Sequence, residues 1–551
     1  MDEQDPNAVA FPKLTSEQIA EIAECSKASR LHFAPGDILF QVGDRDFPFF
    51  ILESGTVEIY DTSGDTPQLL KTHEQGDFTG DISHLTGRAA IVTGVATTAS
   101  DVVAIPGDAL RELLNVCPTL GDTILKAFIA RRQLISESGV VTGVRVIGSR
   151  YSHDTFRITD FLASNRLLYT WLDLENESDA EVTTLLERFG LEPSQTPVVM
   201  TVDGLLRNPS NRELAEALGI RQPLVRRPYD LAVVGAGPAG LAAAVYGASE
   251  GLNTVILEGA APGGQAGRSM RIENYLGFPT GITGADLIDR ATLQANKFGA
   301  VLSVPSAVTS LDFDNGYAVL EVDSGETVVA KCLLIASGAE YLRLSAEHCS
   351  DFEGSGVYYA ATPNEGRLCQ GLDVVVVGGG NSAGQAAVYL SRESRRVLLV
   401  VRGDNLAKSM SSYLEHRIDQ TPNIDVLLNT EVVRMDGEGG HLRSVDIVNR
   451  QTGEERTVIT SGVFSFIGAV PRTDWTQGQL ETDARGFIRT GSGVIRRDTH
   501  ERRRERFLLE TSRSGVFAAG DVRAGSVKRV ASAVGEGSMS VQFVHEHLRG
   551  N

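Results

Sequence analysis

At two places in this chain an unbroken apolar run of strand length breaks into glycines and then continues as a pattern of small helical residues. The first is Asp230-Leu-Ala-Val-Val-Gly-Ala-Gly-Pro-Ala-Gly240, followed by the helical Leu241 to Ser249 and the β-prone Thr254-Val-Ile-Leu-Glu258. A strand that enters a helix through Gly-x-Gly-x-x-Gly leaves unpaired N–H groups at the helix start, with no side chain in front of them. That arrangement receives a pyrophosphate, and an acid at the end of the next strand accepts from ribose hydroxyls. The candidate nucleotide contacts are therefore Gly235, Gly237, Pro238, Ala239, Gly240 and Glu258.

The second place, Asp373-Val-Val-Val-Val-Gly-Gly-Gly-Asn-Ser-Ala-Gly384, ends at Val397-Leu-Leu-Val-Val-Arg402. Gly378, Gly380, Asn381, Ser382 and Ala383 are its candidate contacts. Where the first unit has Glu258, this one has Val401 and then Arg402, so a 2′-phosphate suits it better than a free ribose. NADPH is the expected ligand, with NADH still possible and Gly403 supplying no second cation. Two such units predict an α/β architecture with parallel sheets for the C-terminal three-fifths.

At 551 residues the chain exceeds what one hydrophobic core serves, and several domains are expected. A net charge of −20 argues against nucleic acid and anionic lipid as partners. Met1 to Lys13 has no apolar run of leader type, and no stretch of about eighteen apolar residues could span a bilayer, so a cytoplasmic location and no membrane partner are expected. Cys25, Cys117, Cys332, Cys349 and Cys369 are scattered, with no Cys-x-x-Cys, which points to neither a disulfide framework nor a metal site.

Between Leu31 and Ile105 short β-prone runs alternate with Gly and Asp turns, and a helical stretch from Asp108 to Leu134 follows. This segment resembles the cyclic-nucleotide-binding domain family, a jelly roll closed by helices. In that family a Gly-Glu pair holds the ribose, a place taken here by Gly80-Asp81. The phosphate-binding Arg and hydroxyl positions fall on Ala90 and Ile91, which makes cyclic nucleotide binding doubtful, with Arg88 as a substitute two residues away.

From Val144 to Ile220 the order is strand Val144–Ile147, helix Phe156–Ser164, strand Tyr169–Leu172, strand Thr196–Met200 and helix Asn211–Leu218. It resembles the glutaredoxin and thioredoxin fold, which implies a cis peptide before Pro197. The dithiol's place reads Ser149-Arg-Tyr-Ser-His-Asp154, without cysteine, and His153 is read as an exposed loop residue. Arg226, Arg227 and Pro228 form a linker.

Pro262-Gly-Gly-Gln265, Ile272-Glu-Asn-Tyr-Leu-Gly-Phe-Pro279, Leu334-Ile-Ala-Ser-Gly-Ala339 and Gly515-Val-Phe-Ala-Ala-Gly-Asp521 follow in an order that resembles the FAD-contact segments of thioredoxin reductase and its low-molecular-weight relatives. The resemblance covers Tyr229 to the C-terminus. It implies FAD bound also by Gly263, Gly264, Gln265, Asn274, Ser337, Gly338, Gly520, Asp521 and Lys528-Arg529-Val530, and it implies a homodimer.

Those reductases carry Cys-Ala-Thr-Cys-Asp before the second unit, whereas this chain reads Tyr359-Ala-Ala-Thr-Pro-Asn364. Ala360 and Pro363 stand where the thiols would be, and neither can attack or leave in exchange. Cys369 is read as structural, at the start of the next strand, and Glu365 is the nearest candidate acid, with a solvated turn carboxylate as the alternative.

The expected domains are 1–140, a cyclic-nucleotide-binding-like roll; 143–222, thioredoxin-like; 228–345 with 467–551, for FAD; and 346–466, for the nicotinamide cofactor. Three functions stay open. One is a flavin-dependent NAD(P)H oxidoreductase that passes electrons directly to a small molecule or redox protein. A second is a dithiol oxidase or disulfide reductase, and the third is a sensor regulated through the N-terminal segments.

Overall fold

The computed structural model describes residues 5–550 except 26, 46, 63–65, 82, 139–143, 177–179, 202–203, 223, 225–226, 439–440 and 496–504. The chain divides into two units, Met1–Gly148 with Asn165–Leu224 and Thr292–Pro305, and Ser149–Ser164 with Val225–Ala291 and Ser306–Asn551. The expected linker falls partly outside the described residues, at 226.

In the first unit the β-prone runs form two antiparallel sheets. One orders Ser29–Phe33, Ser100–Ile105 and Phe49–Ser54; the other orders Ile38–Phe40, Thr93–Ala96, Val57–Asp61 and Gln68–His73. Alternation along Val57–Asp61 sends Val57, Ile59 and Asp61 inward, as a half-buried strand requires. Leu39, Phe40, Phe50, Leu52, Val102 and Ala90 pack into one apolar cluster. The helical stretch is two helices, not one: Gly107–Val116 and Pro118–Ser138, broken at Cys117 because the residue before a proline avoids helical backbone.

A four-stranded sheet in the same unit orders Gly204–Arg207, Val198–Thr201, Arg145–Gly148 and Thr170–Asp173. The last two are parallel, with Arg145 opposite Thr170, and the others antiparallel. Thr196-Pro197 is a cis peptide, as expected. Ile147, Leu172, Leu185 and Val198 share its core.

In the second unit β1 (Tyr229–Val234), α1 (Pro238–Ser249) and β2 (Thr254–Leu257) form the first strand–helix–strand unit, with β1 parallel to β2 and to β3 (Thr327–Ile335). β1, β2 and the C-terminal half of β3 are almost wholly buried, which is why they read as continuous apolar runs. Beyond β3 come α2 (Pro363–Leu368), β4 (Asp373–Val377), α3 (Asn381–Glu393) and β5 (Arg396–Val400), with β4 and β5 central in a five-stranded parallel sheet. The chain then returns: β6 (Val516–Ala518) pairs parallel to β3, and α4 (Val530–Gly550) closes the unit.

The two crossings between these halves run side by side, Ala339–Tyr341 antiparallel to Ala469–Pro471. Helix α4 packs closely on α1 because Gly537 has no side chain. A Cβ there would sit 2.0 Å from the Ala239 carbonyl oxygen.

Candidate functional site

Each glycine of the β1–α1 turn has its own steric reason. Gly235 has φ +103°, and a Cβ on it would lie 2.4 Å from the Ala336 carbonyl oxygen. A Cβ on Gly240 would lie 1.9 Å from the Gly235 carbonyl oxygen. Gly237 differs: its backbone is extended, with φ −73°, and a Cβ would meet nothing within 4 Å. Gly237 therefore keeps open a space that the protein does not fill, at the N-terminus of α1 where Pro238 begins the helix.

Glu258 stands beside this space. Its carboxylate accepts from the Ala236 N–H at 2.8 Å and the Ala260 N–H at 3.0 Å. A carboxylate has about four acceptor positions, so capacity for ribose hydroxyls remains. The Gly263 N–H reaches the Ala236 carbonyl at 2.7 Å, which holds the Gly263-Gly264 turn against the first one. Gln265 donates to the Ala339 carbonyl at 2.5 Å, while the Ser337 hydroxyl donates to the Arg472 carbonyl at 2.8 Å beside the left-handed Gly338. Asn274 is exposed.

At the other edge the Gly520 N–H donates to Glu536 at 2.7 Å, and Glu536 pairs with Arg523. This ion pair fixes the turn that carries Asp521. Burial raises the Asp521 carboxyl above its ordinary range, with Lys528 opposing and Glu536 reinforcing the shift. Lys528 and Arg529 are exposed, and Val530 opens α4.

The second turn repeats the pattern. Gly378 has φ +142°, and a Cβ on it would meet the Phe466 carbonyl oxygen at 2.5 Å. Gly380 caps α3, whose first residues are Asn381, Ser382 and buried Ala383. The Asn381 side chain accepts from the Ser411 N–H at 2.7 Å, and the Tyr341 hydroxyl donates to Ser382 at 3.2 Å. Arg402 is exposed just after β5.

In the stretch that would carry a dithiol, Ala360 is buried. Positions 363 and 364 lie on α2, and their side chains are outside the described residues. Glu365 is not a solvated turn carboxylate. It is 2% exposed and accepts from the Thr362 N–H at 2.8 Å and from its hydroxyl, so it caps the start of α2. Burial raises its pKa, and Asp160 adds to the effect. Cys369 precedes β4 instead of starting it; burial, with Glu365 nearby, pushes its thiol up to about 12.

Elsewhere His153 is exposed but belongs to a helix, His153–Ser164, not to a loop. In the first unit Ala90 is buried in the roll's apolar cluster. Arg88 donates to the Asn165 carbonyl at 2.9 Å, a contact that occupies the proposed substitute. Buried Arg131 donates to the Gly80 carbonyl at 2.7 Å.

A cavity of about 600 Å³ brings Gln265 of the first turn region to Ala360 and Ser382. Its arginines, and the Glu536–Arg523 pair behind Asp521, escaped the sequence reading. They are single residues on separate elements, with no motif spacing.

Residues 229–537 match the family model described as pyridine nucleotide-disulphide oxidoreductase. The chain belongs to that family. Residues 30–116 match the cyclic nucleotide-binding domain model. The chain is 35% identical to a thioredoxin reductase of Bacillus subtilis over 320 residues, 58% of this chain and 95% of the relative. The solved thioredoxin reductase of Lactococcus lactis aligns with a TM-score of 0.53 at 27% identity, over 59% of this chain and all of that one. That of T. acidophilum gives 0.52 at 31% identity, over 58% and 99%.

The protein is thus an FAD-dependent NAD(P)H oxidoreductase of thioredoxin-reductase type, with FAD and NADPH as its cofactors. The open space in front of Gly237, with Glu258 beside it, fits an adenine dinucleotide at the first turn, and the glycine-capped α3 fits one at the second. Among the described residues no helix is long and apolar enough to cross a membrane.

Proposed function

We propose that the chain transfers electrons from NADPH through FAD to an external acceptor, with no cysteine relay between flavin and acceptor. The observation that carries this reading is chemical. The two relay positions hold Ala360 and Pro363, and the nearest thiol, Cys369, is buried with its pKa pushed up to about 12. A thiol that stays protonated cannot begin disulfide exchange. When bound, the nicotinamide and flavin rings supply hydride and two-electron transfer.

The residues supply binding and orientation. Gly235, Gly237, Pro238, Ala239 and Gly240 present the α1 N-terminus to the FAD pyrophosphate, and Glu258 accepts from its ribose. Gly263, Gly264, Gln265, Asn274, Ser337 and Gly338 border the flavin on one side. Gly520, Asp521, Lys528, Arg529 and Val530 border it on the other, held in place by Glu536. Gly378, Gly380, Asn381, Ser382 and Ala383 take the second pyrophosphate, and Arg402 takes the 2′-phosphate.

The pairing of β3 with β6, which precede and follow the β4–β5 segment along the chain, supports a nested plan with FAD bound by 228–345 and 467–551 and NADPH by 346–466. The four-stranded sheet between Arg145 and Arg207, with one parallel and two antiparallel pairings, supports a thioredoxin-like domain over 143–222 without a dithiol. The roll of 1–140 acts in docking or regulation, because apolar Ala90 offers a cyclic phosphate no charge and Arg88 is engaged elsewhere. We place the protein in the cytoplasm as a homodimer.

Anaerobic titration with NADPH tests the reading. Uptake of two electrons per FAD fits a flavin-only centre, and uptake of four would refute it by exposing a redox-active disulfide.

A further inference from the structure

We infer that the acceptor is an anionic quinone, bound in the cavity that contains the relay position. The inference rests on the direct-transfer reading above and adds the substrate class. The cavity, about 600 Å³, reaches from Gln265 past Ala360 to Ser382, so its two ends border the flavin and NADPH contacts proposed above and the acceptor takes the part at Ala360. An acceptor seated against Ala360 would lie where a dithiol would otherwise approach the flavin.

Its charge runs against that of the chain. The sequence has 51 basic and 71 acidic residues, yet five of the seven charged side chains lining the cavity are arginines. Arg271 and Arg417 share one carboxylate, Glu273, at 3.3 and 3.0 Å, and Arg268 pairs with Asp160 at 2.9 Å. Among the described residues Arg290 and Arg392 have no carboxylate within ion-pair distance, although Arg290 lies 6.0 Å from the Phe278 ring. A cleft of one sign in a molecule of the other draws in ligands of opposite charge, and arginine's planar fork suits a carboxylate or sulfonate.

Aromatic rings also contribute to the wall, among small and polar residues. Tyr341, Tyr359, Tyr389, Tyr413 and Phe466 line the space and favour a flat ring over a flexible disulfide. The overall reaction balances as NADPH + H⁺ + quinone giving NADP⁺ + hydroquinone. The hydride brings two electrons and one proton, solvent supplies the second proton, and both carbonyl groups become hydroxyls.

The test uses the full-length holoprotein with menadione, which is neutral, and with a naphthoquinone sulfonate. Expected for the wild type is a kcat/KM at least tenfold higher for the sulfonate than for menadione, falling steeply with salt. In an Arg290→Gln, Arg392→Gln double variant the advantage should fall at least tenfold, with menadione turnover and the anaerobic rate of flavin reduction by NADPH unchanged. Equal kcat/KM for both quinones, or an unaltered preference in the variant, would overturn the inference. So would a raised KM for NADPH in the variant, which would assign the arginines to the nucleotide, or a disulfide outcompeting both quinones. Photoreduced protein mixed with each quinone gives the acceptor preference without NADPH, so a failure of the nicotinamide half-reaction is read separately.

Discussion

Replacing Gly237 by alanine separates cofactor binding from folding in a way its neighbours do not allow. The new methyl group would meet no protein atom within 4 Å, and the backbone at φ −73° is open to any residue. The apo protein gains about 0.4–1 kcal/mol from a stiffer unfolded chain. It loses a comparable amount, about 0.5–1 kcal/mol, because alanine is a poor helix N-cap. The two terms nearly cancel, so the thermal midpoint of the apo protein should stay within a few degrees of wild type.

FAD binding should not survive as well, since the methyl group occupies the space where a pyrophosphate approaches the α1 N–H groups. Losing one charge-assisted hydrogen bond costs about 1.5–3 kcal/mol. That weakens FAD roughly ten- to a hundred-and-fifty-fold, at about 1.4 kcal/mol per tenfold. Gly240→Ala is the contrasting variant, because its Cβ would lie 1.9 Å from the Gly235 carbonyl. It should lower the apo midpoint by an overpacking cost of about 1–3 kcal/mol. The assay pairs FAD titration by flavin fluorescence with calorimetry of the apo forms. If Gly237→Ala binds FAD within twofold of wild type, or loses as much apo stability as Gly240→Ala, the steric argument is wrong.

Other expectations follow from the same geometry. Removing the charge with Arg402→Ala should raise KM for NADPH at least tenfold and leave NADH nearly unaffected, and equal losses would remove its role with the 2′-phosphate. Cys117, Cys332, Cys349 and Cys369 are buried, so none of these four should react with a disulfide reagent in the native protein, and Cys369→Ser should keep turnover. Burial lowers the pKa of His73, with Asp77 opposing, and of His84, with Asp81 opposing. Below about pH 6.5 the unfolded chain then takes up protons that these rings refuse, so stability should fall as pH drops from 7 to 5. A His73→Gln, His84→Gln double variant should flatten that slope in calorimetry. Cyclic AMP should give no heat of binding at micromolar protein, whereas micromolar affinity would show that the roll binds its phosphate without Ala90 or Ile91.

What the sequence alone could determine was whatever rests on local backbone chemistry. Buried parallel strands must be apolar on both faces, and tight strand–helix turns must be glycine. The β1–α1 and β4–α3 turns, and the candidate contacts from Gly235 to Glu258 and Gly378 to Ala383, were therefore legible as strings of residues. The proline entering the strand Val198–Thr201 was legible for a similar reason, because few other residues allow a cis peptide.

Tertiary structure decided what depends on residues distant in the chain. Glu365 reads as a surface acid because its local cap on Thr362 does not reveal that packing buries it with Asp160 nearby. Arg88 reads as a spare phosphate ligand until its guanidinium is found on the Asn165 carbonyl, 77 residues away. The break of the Asp108–Leu134 helix at Pro118 is by contrast a local signal, hidden in the sequence by apolar spacing that continues across it. The arginines of the cavity come from separate segments, and a side chain's charge carries no local signature of where folding will place it. Spacing along the chain encodes contacts between near neighbours, whereas convergence of remote side chains is written in the packing of the elements that carry them.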